Sequence, residues 1–191
     1  MSLKDKEKWN SKYGGSECLA GRKPCSWLSE NRSHLPGKGR ALDLAMGEGR
    51  NALFAASLGY EVLGVDVSEI GVQRANELAR ERGLSLKGEV ADLDEWPIPE
   101  NTFDLVMCFY FLDRKLFEPI RKSLRPGGIV IFETFNQDHL QYSDFKPEWV
   151  LGPNELIKEF FNYRILHYRE TDEDEKATSA ILVRKPEDAP A

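Results

Sequence analysis

Between residues 40 and 135, short runs of apolar, β-branched residues alternate with longer stretches whose apolar positions recur at helical spacing. That alternation predicts an α/β domain built on a parallel sheet. Arg40–Ala45 reads as a first strand, and a helix from about Arg50 to Leu58 is closed by Gly59, glycine being suited to the left-handed residue that ends a helix. Glu61–Asp66 is a second strand. Ser68 then caps a long helix through Arg82, with Ile70, Ala75, Leu78 and Ala79 at helical spacing, charges on the other face and Gly83 at its end. Leu84–Val90 predicts a third strand. Thr102–Phe109 is nearly continuously apolar, as a strand buried on both faces would be. Asp113–Leu124 reads as helix, Arg125-Pro126-Gly127-Gly128 turns the chain, and Ile129–Thr134 is another central strand. After a helix opened by Pro153, Tyr163–Glu170 and Thr178–Arg184 read as strands. The acidic connection Thr171–Lys176 is too short for a crossover, so these two form an antiparallel hairpin.

Two stretches fit no regular element as well. Residues 4–34 read as one or two amphipathic helices anchored by Trp9, Tyr13, Trp27 and Leu28. Residues 135–152, with His139, Tyr142, Phe145 and Trp149, form an irregular insertion that reads equally as a lid or as a surface-packed loop.

The chain has 191 residues, 26 Lys+Arg against 32 Asp+Glu, and 41% hydrophobic residues. Length and apolar content predict one domain with a full core, divided into an N-terminal helical cap (1–37), a core (38–186) and a tail (187–191). The net charge of −6 argues against a nucleic-acid partner. No apolar run approaches the ~20 residues of a membrane span, and the charged start lacks a signal-peptide core. Three cysteines without a framework spacing point to reduced thiols in a cytoplasmic setting. Cys18 and Cys25 have no Cys or His pair to complete a zinc site, so no metal is expected.

Candidate chemistry concentrates in Ala41-Leu42-Asp43-Leu44-Ala45-Met46-Gly47-Glu48-Gly49-Arg50-Asn51, a strand that enters a tight glycine bend and then a helix. Such a bend exposes backbone N–H groups and lets a ligand approach the main chain. Asp66 ends the next strand, 19 residues beyond Gly47, where an acid can accept both hydroxyls of a ribose. Asp43 before the bend and Glu48 within it would repel a pyrophosphate but suit a cationic ligand. S-adenosylmethionine, with its sulfonium and α-ammonium, answers that description better than a nicotinamide dinucleotide.

These motifs, in this order, resemble the class I S-adenosylmethionine-dependent methyltransferases over residues 38–186. Asp43, Ala45, Gly47 and Gly49 stand at the acidic and three glycine positions of that family's first motif, with alanine replacing the first glycine. The resemblance implies a Rossmann-like, doubly wound sheet of seven strands with the last antiparallel. It implies a cofactor site that takes in Arg50 and Asn51 beside the methionine arm, Asp66 at the ribose, and Val67 and Ser68 flanking the adenine. Asp92 and Leu93 would meet the adenine ring, and Cys108 and Phe109 would lead into the acceptor side. A looser likeness to small bacterial tellurite-resistance and thiopurine methyltransferases, carried by D-L-A-x-G-x-G-R-N-A and by Trp9 and Tyr13, implies a small-molecule acceptor, a thiol or a chalcogen oxyanion. Acceptor-side candidates are Tyr110, Glu133 and His139, the last two as bases for a hydroxyl acceptor. Two rivals remain: a non-catalytic S-adenosylmethionine-binding module and a nicotinamide-dependent reductase.

Overall fold

The computed structural model describes residues 3–15 and 23–187. Cys18 and all but the first residue of the expected 187–191 tail lie outside the described residues. Seven strands form one sheet: β1 (Arg40–Leu44), β2 (Glu61–Asp66), β3 (Leu86–Val90), β4 (Phe103–Phe109), β5 (Leu124–Phe135), β6 (Arg164–Glu173) and β7 (Lys176–Arg184). Their spatial order is β3-β2-β1-β4-β5-β7-β6. The first five pair in parallel, and β7 inserts antiparallel between β5 and β6. This is the doubly wound sheet with a reversed last strand that the sequence implies.

Strand position dictates side-chain choice. Central β1, β4 and β7 are buried nearly throughout, whereas the edge strands β3 and β6 alternate between partial and full exposure. Along β4, Leu105 and Met107 join one core while Val106 and Cys108 join the other, as a period of two requires. The first core is covered by α2 (Ser26–Glu30), α3 (Arg50–Ser57) and α4 (Glu69–Glu81), the second by α5 (Phe117–Ser123) and α6 (Glu155–Glu159). α1 (Leu3–Tyr13) lies against α4 through Asn10 on Ser68 and Lys6 on Glu69.

Element boundaries shift where local hydrogen bonds outweigh propensity. β3 begins at Leu86 because the Leu84 N–H closes α4 on Ala79 O. Asp113 caps a 3-10 turn (Arg114–Leu116), so α5 starts only at Phe117. β5 starts at Leu124, not Ile129; the Arg125–Gly128 segment bulges between the Phe103–Leu124 and Leu105–Ile129 pairs and Gly127 N–H bonds Lys185 O. The expected acidic loop is mostly strand: Asp174 and Glu175 alone turn the β6–β7 hairpin, at φ +53° and +58°, the pair of left-handed residues a type I′ turn needs. The 135–152 segment is tied down throughout. Gln137 and Leu151 exchange backbone bonds with Leu151 and Phe135, Asn136 bonds Ser179, and Arg114 holds the carbonyls of Glu148 and Val150.

Trp27 shows how the N-terminal cap is fastened. Its indole is fully buried against the sheet, 4.6 Å from the His167 ring, with the Arg169 guanidinium 4.7 Å away on its face. Asn31 links the same helix end to His167. Trp27→Ala is expected to lower unfolding free energy by about 3–5 kcal/mol in urea titrations. Trp27→Phe should cost less, because the buried indole N–H, without a partner among the described residues, disappears with the lost volume.

Candidate active site

The end of β1 and the bend that follows form the floor of a crevice of about 220 Å³. Ala45 holds φ +54°, Gly47 +57° and Gly49 +76°. Ala45 thus keeps the left-handed backbone that a glycine would adopt freely, at a cost of roughly 1–2 kcal/mol. The bend has no room for side chains at its glycines. A Cβ on Gly47 would stand 2.5 Å from the Tyr13 hydroxyl, one on Gly49 2.7 Å from Ala75 Cβ, and one on Gly71 of α4 2.9 Å from Gly47 O. The Asp66 carboxylate ties the pieces together, accepting Gly47 N–H on Oδ2 and Ser68 N–H on Oδ1, both at 2.8 Å. Burial raises the pKa of Asp66, and these backbone donors pull it back down.

The two carboxylates around the bend differ in kind. Glu48 is neutralised: its Oε1 lies 2.7 Å from Arg74 Nη1, and its side chain is 4% exposed. The expectation that both acids greet a cation is therefore corrected, since α4 supplies a counter-ion for one. Asp43 is different. It is 2% exposed, and its Oδ2 has no partner among the described residues. Burial pushes its carboxyl up to about 8, against the Ala52 N–H and Arg50, which lower it. A buried acceptor of this kind beside an open crevice is completed by an incoming cation or donor. The α-ammonium of S-adenosylmethionine meets that requirement, so the residues present fit the cofactor.

Of the expected cofactor residues, the crevice brings together Asp43, Ala45, Gly47, Arg50, Asn51, Asp66 and Phe109, with Tyr110 from the acceptor side. Asn51 also has a structural task, accepting the Cys25 N–H at 2.9 Å and so pinning α2 to α3. Gly49, Val67, Ser68, Asp92, Leu93 and Cys108 lie outside the lining. The Ser68 hydroxyl is committed as the cap of α4, accepting Gly71 N–H, and donates to Asn10. Asp92 accepts the Asp94 N–H in a tight turn. The Cys108 thiol is raised well above its ordinary range by burial and then by Asp43, and it points to Phe111 O. Trp9 and Tyr13, stacked at 5.5 Å, close the crevice from α1, and Met46, Glu48 and Phe111 complete it.

On the acceptor side, Tyr110 follows β4 at φ +56°. Its hydroxyl accepts from Lys176 Nζ at 2.5 Å, and its ring packs 5.4 Å from Phe135 and 5.8 Å from the Arg50 guanidinium. Burial, then the Glu133 carboxylate, raises the Tyr110 hydroxyl, so it stays a phenol near neutral pH. Glu133 and His139 do not line the crevice. His139 stacks on Phe135 at 4.2 Å, and burial and then Lys176 lower its pKa. Lys176 was not anticipated; the only signal for it is a cation flanking an otherwise acidic run.

Residues 41–128 match a family model described as a methyltransferase domain. The chain is 30% identical over 122 residues to a ubiquinone biosynthesis O-methyltransferase of Paraburkholderia phymatum, covering 61% of this chain and 52% of the relative. It is 27% identical over 139 residues to a probable S-adenosyl-L-methionine-dependent methyltransferase, TehB, of Haemophilus influenzae, covering 69% and 48%. It thus spans about half the length of the curated relatives it matches. The crystal structure of that TehB superimposes with a TM-score of 0.69 at 21% identity, over 94% of this chain and 66% of that one. A structure described by conversion of a disulfide bond into a thioacetal group in echinomycin biosynthesis gives 0.71 at 21%, over 97% and 94%. The [4+2]-cyclase SpnF gives 0.70 at 19%, over 93% and 90%. No helix among the described residues is long and apolar enough to cross a membrane.

Asp66→Ala strands two buried N–H groups as well as removing a ligand contact. It should lower stability by about 1–3 kcal/mol per donor and weaken cofactor affinity in calorimetry by tenfold or more. Unchanged affinity would remove Asp66 from the site.

Proposed function

We propose that this chain is a class I, S-adenosylmethionine-dependent methyltransferase, a reading supported by the methyltransferase-domain match over residues 41–128 and by the named relatives, and that it methylates a small acceptor that arrives already electron-rich, a thiol or a chalcogen oxyanion. The observation that carries the methyl-transfer reading is the unpartnered Asp43 Oδ2 at the floor of the glycine-bend crevice. The fold alone would not suffice, because a [4+2]-cyclase shares it. The methyltransferase match turns the choice away from a nicotinamide reductase.

In this reading Asp43 holds the α-ammonium, the Gly47 bend admits the ligand to the main chain, and Asp66 holds the ribose. The bound cofactor supplies an activated methyl group on a sulfonium. The chain's own part is to orient and to exclude water, which can contribute on the order of 7–11 kcal/mol. Phe109, Tyr110 and Phe111 supply the apolar wall where the acceptor meets that group. Tyr110 is held as a phenol and His139 is stacked away from the crevice, so neither is placed to strip a proton from an alcohol. A thiol, with a pKa of about 8.5, needs little such help. Arg50 and Lys176, on either side of Tyr110, favour an acceptor that is an anion. The relatives support methyl transfer, one being named an O-methyltransferase and the other an S-adenosyl-L-methionine-dependent methyltransferase.

Formation of S-adenosylhomocysteine with a panel of thiols, selenite, tellurite and small phenols tests the proposal. Product is expected with thiols or chalcogen oxyanions; tight cofactor binding without product from any of them would establish a non-catalytic binding module instead.

The Asp43 reading also sets a pH dependence. The folded carboxyl sits near 8, and a cation beside it requires the ionised form, so binding must release a proton below that pH. Affinity for S-adenosylmethionine should climb between about pH 6 and 8, by at most tenfold per unit, and then level. Calorimetric heats should follow the ionisation enthalpy of the buffer. Asp43→Asn should bind more weakly and lose both trends.

A further inference from the structure

A second cleft, of about 330 Å³, opens between α2 and the β6–β7 hairpin. Glu133 lies at its base. That residue is 3% exposed; Oε1 accepts from the Thr178 hydroxyl at 3.3 Å, and Oε2 has no partner among the described residues. Arg169 forms one wall, held in place by Glu30 at 2.7 Å and by the Trp27 face, yet its buried Nε is also without a partner. Lys176 forms another wall and bonds the Tyr110 hydroxyl, so one contact joins the two clefts. Thr171 and Thr178 bridge their hydroxyls at 2.9 Å beside Glu133, and Glu173 and Asp174 add negative charge at the rim.

A buried acceptor and a buried donor, each without a partner among the described residues and each on a residue that lines one small cleft, describe a ligand of complementary polarity. The acceptor is a carboxylate and so calls for a cationic donor; the Arg169 Nε calls for an anionic or carbonyl oxygen. The volume limits the ligand to a small metabolite. We propose that this cleft seats the polar end of the methyl acceptor and selects a small molecule carrying a protonated amine beside a carboxylate, its thiol reaching past Tyr110 into the first crevice. The ammonium sits on Glu133 Oε2 and the carboxylate on Arg169 Nε. The assignment of an acceptor role rests on the methyl-transfer reading; the binding of the zwitterion does not.

Three probes of the full chain separate the groups: L-cysteine has amine, carboxylate and thiol, cysteamine lacks the carboxylate, and 3-mercaptopropionate lacks the amine. Saturation-transfer NMR without cofactor should show L-cysteine binding at least tenfold more tightly than either truncated thiol. Glu133→Gln should weaken binding of the two amines, L-cysteine and cysteamine, and leave 3-mercaptopropionate unchanged. Comparison of ligands on the unaltered protein stands even if the variant folds poorly. Equal binding of the three thiols, L-cysteine binding unchanged in Glu133→Gln, or displacement of L-cysteine by selenite would overturn the proposal. L-cysteine binding in the expected pattern, with no S-adenosylhomocysteine formed, would uphold the cleft and sink the methyl-transfer reading. Thiols methylated regardless of amine and carboxylate would do the reverse.

Discussion

The site depends on one buried carboxylate that accepts two backbone N–H groups. Asp66 joins the glycine bend after β1 to the start of α4, so the geometry of the bend, the end of β2 and the helix cap are one unit. Around it, the packing leaves nothing loose: Gly71 lies against Gly47 O, Gly49 against Ala75, and Tyr13 against Gly47. Any ligand reaching the main chain here meets a surface set before it arrives, and ordering the bend adds little to the cost of binding.

Charge then divides the site. Arg74 pairs with Glu48, whereas Asp43, the neutral acid below about pH 8, keeps an oxygen without a partner among the described residues, and Arg50 and Lys176 both lie against the Tyr110 ring. In the proposed reading, a cationic ligand draws Asp43 into its ionised form and then meets a charge it can pair with. In a partly buried site such interactions are screened far less than on the surface.

The strands of the sheet were legible because central strands must be apolar on both faces and the glycine bend follows the first of them. The Asp43, Gly47 and Asp66 constellation was legible for the same reason: backbone geometry needs those residue types at those spacings. Three things were not. The neutralisation of Glu48 depends on Arg74, 26 positions away across a helix. The Ser68 cap was legible, but not that its hydroxyl also donates to Asn10, 58 positions away on another helix. The Asp174–Glu175 turn has no glycine or asparagine to announce its left-handed backbone, so the hairpin looked shorter than it is, and Lys176 looked like loop when it is the first residue of β7.

The insertion of β7 between β5 and β6 imposes an order of assembly. Every residue lining the first crevice lies at or before position 111, whereas the second cleft needs residues of the β6–β7 hairpin, from Arg169 to Thr178. The second cleft cannot exist until β7 has paired with both neighbours, whereas the lining of the first does not include the hairpin. A change that frees β7 from either neighbour would therefore dismantle the second cleft while leaving every residue that lines the first in elements that precede it in the chain.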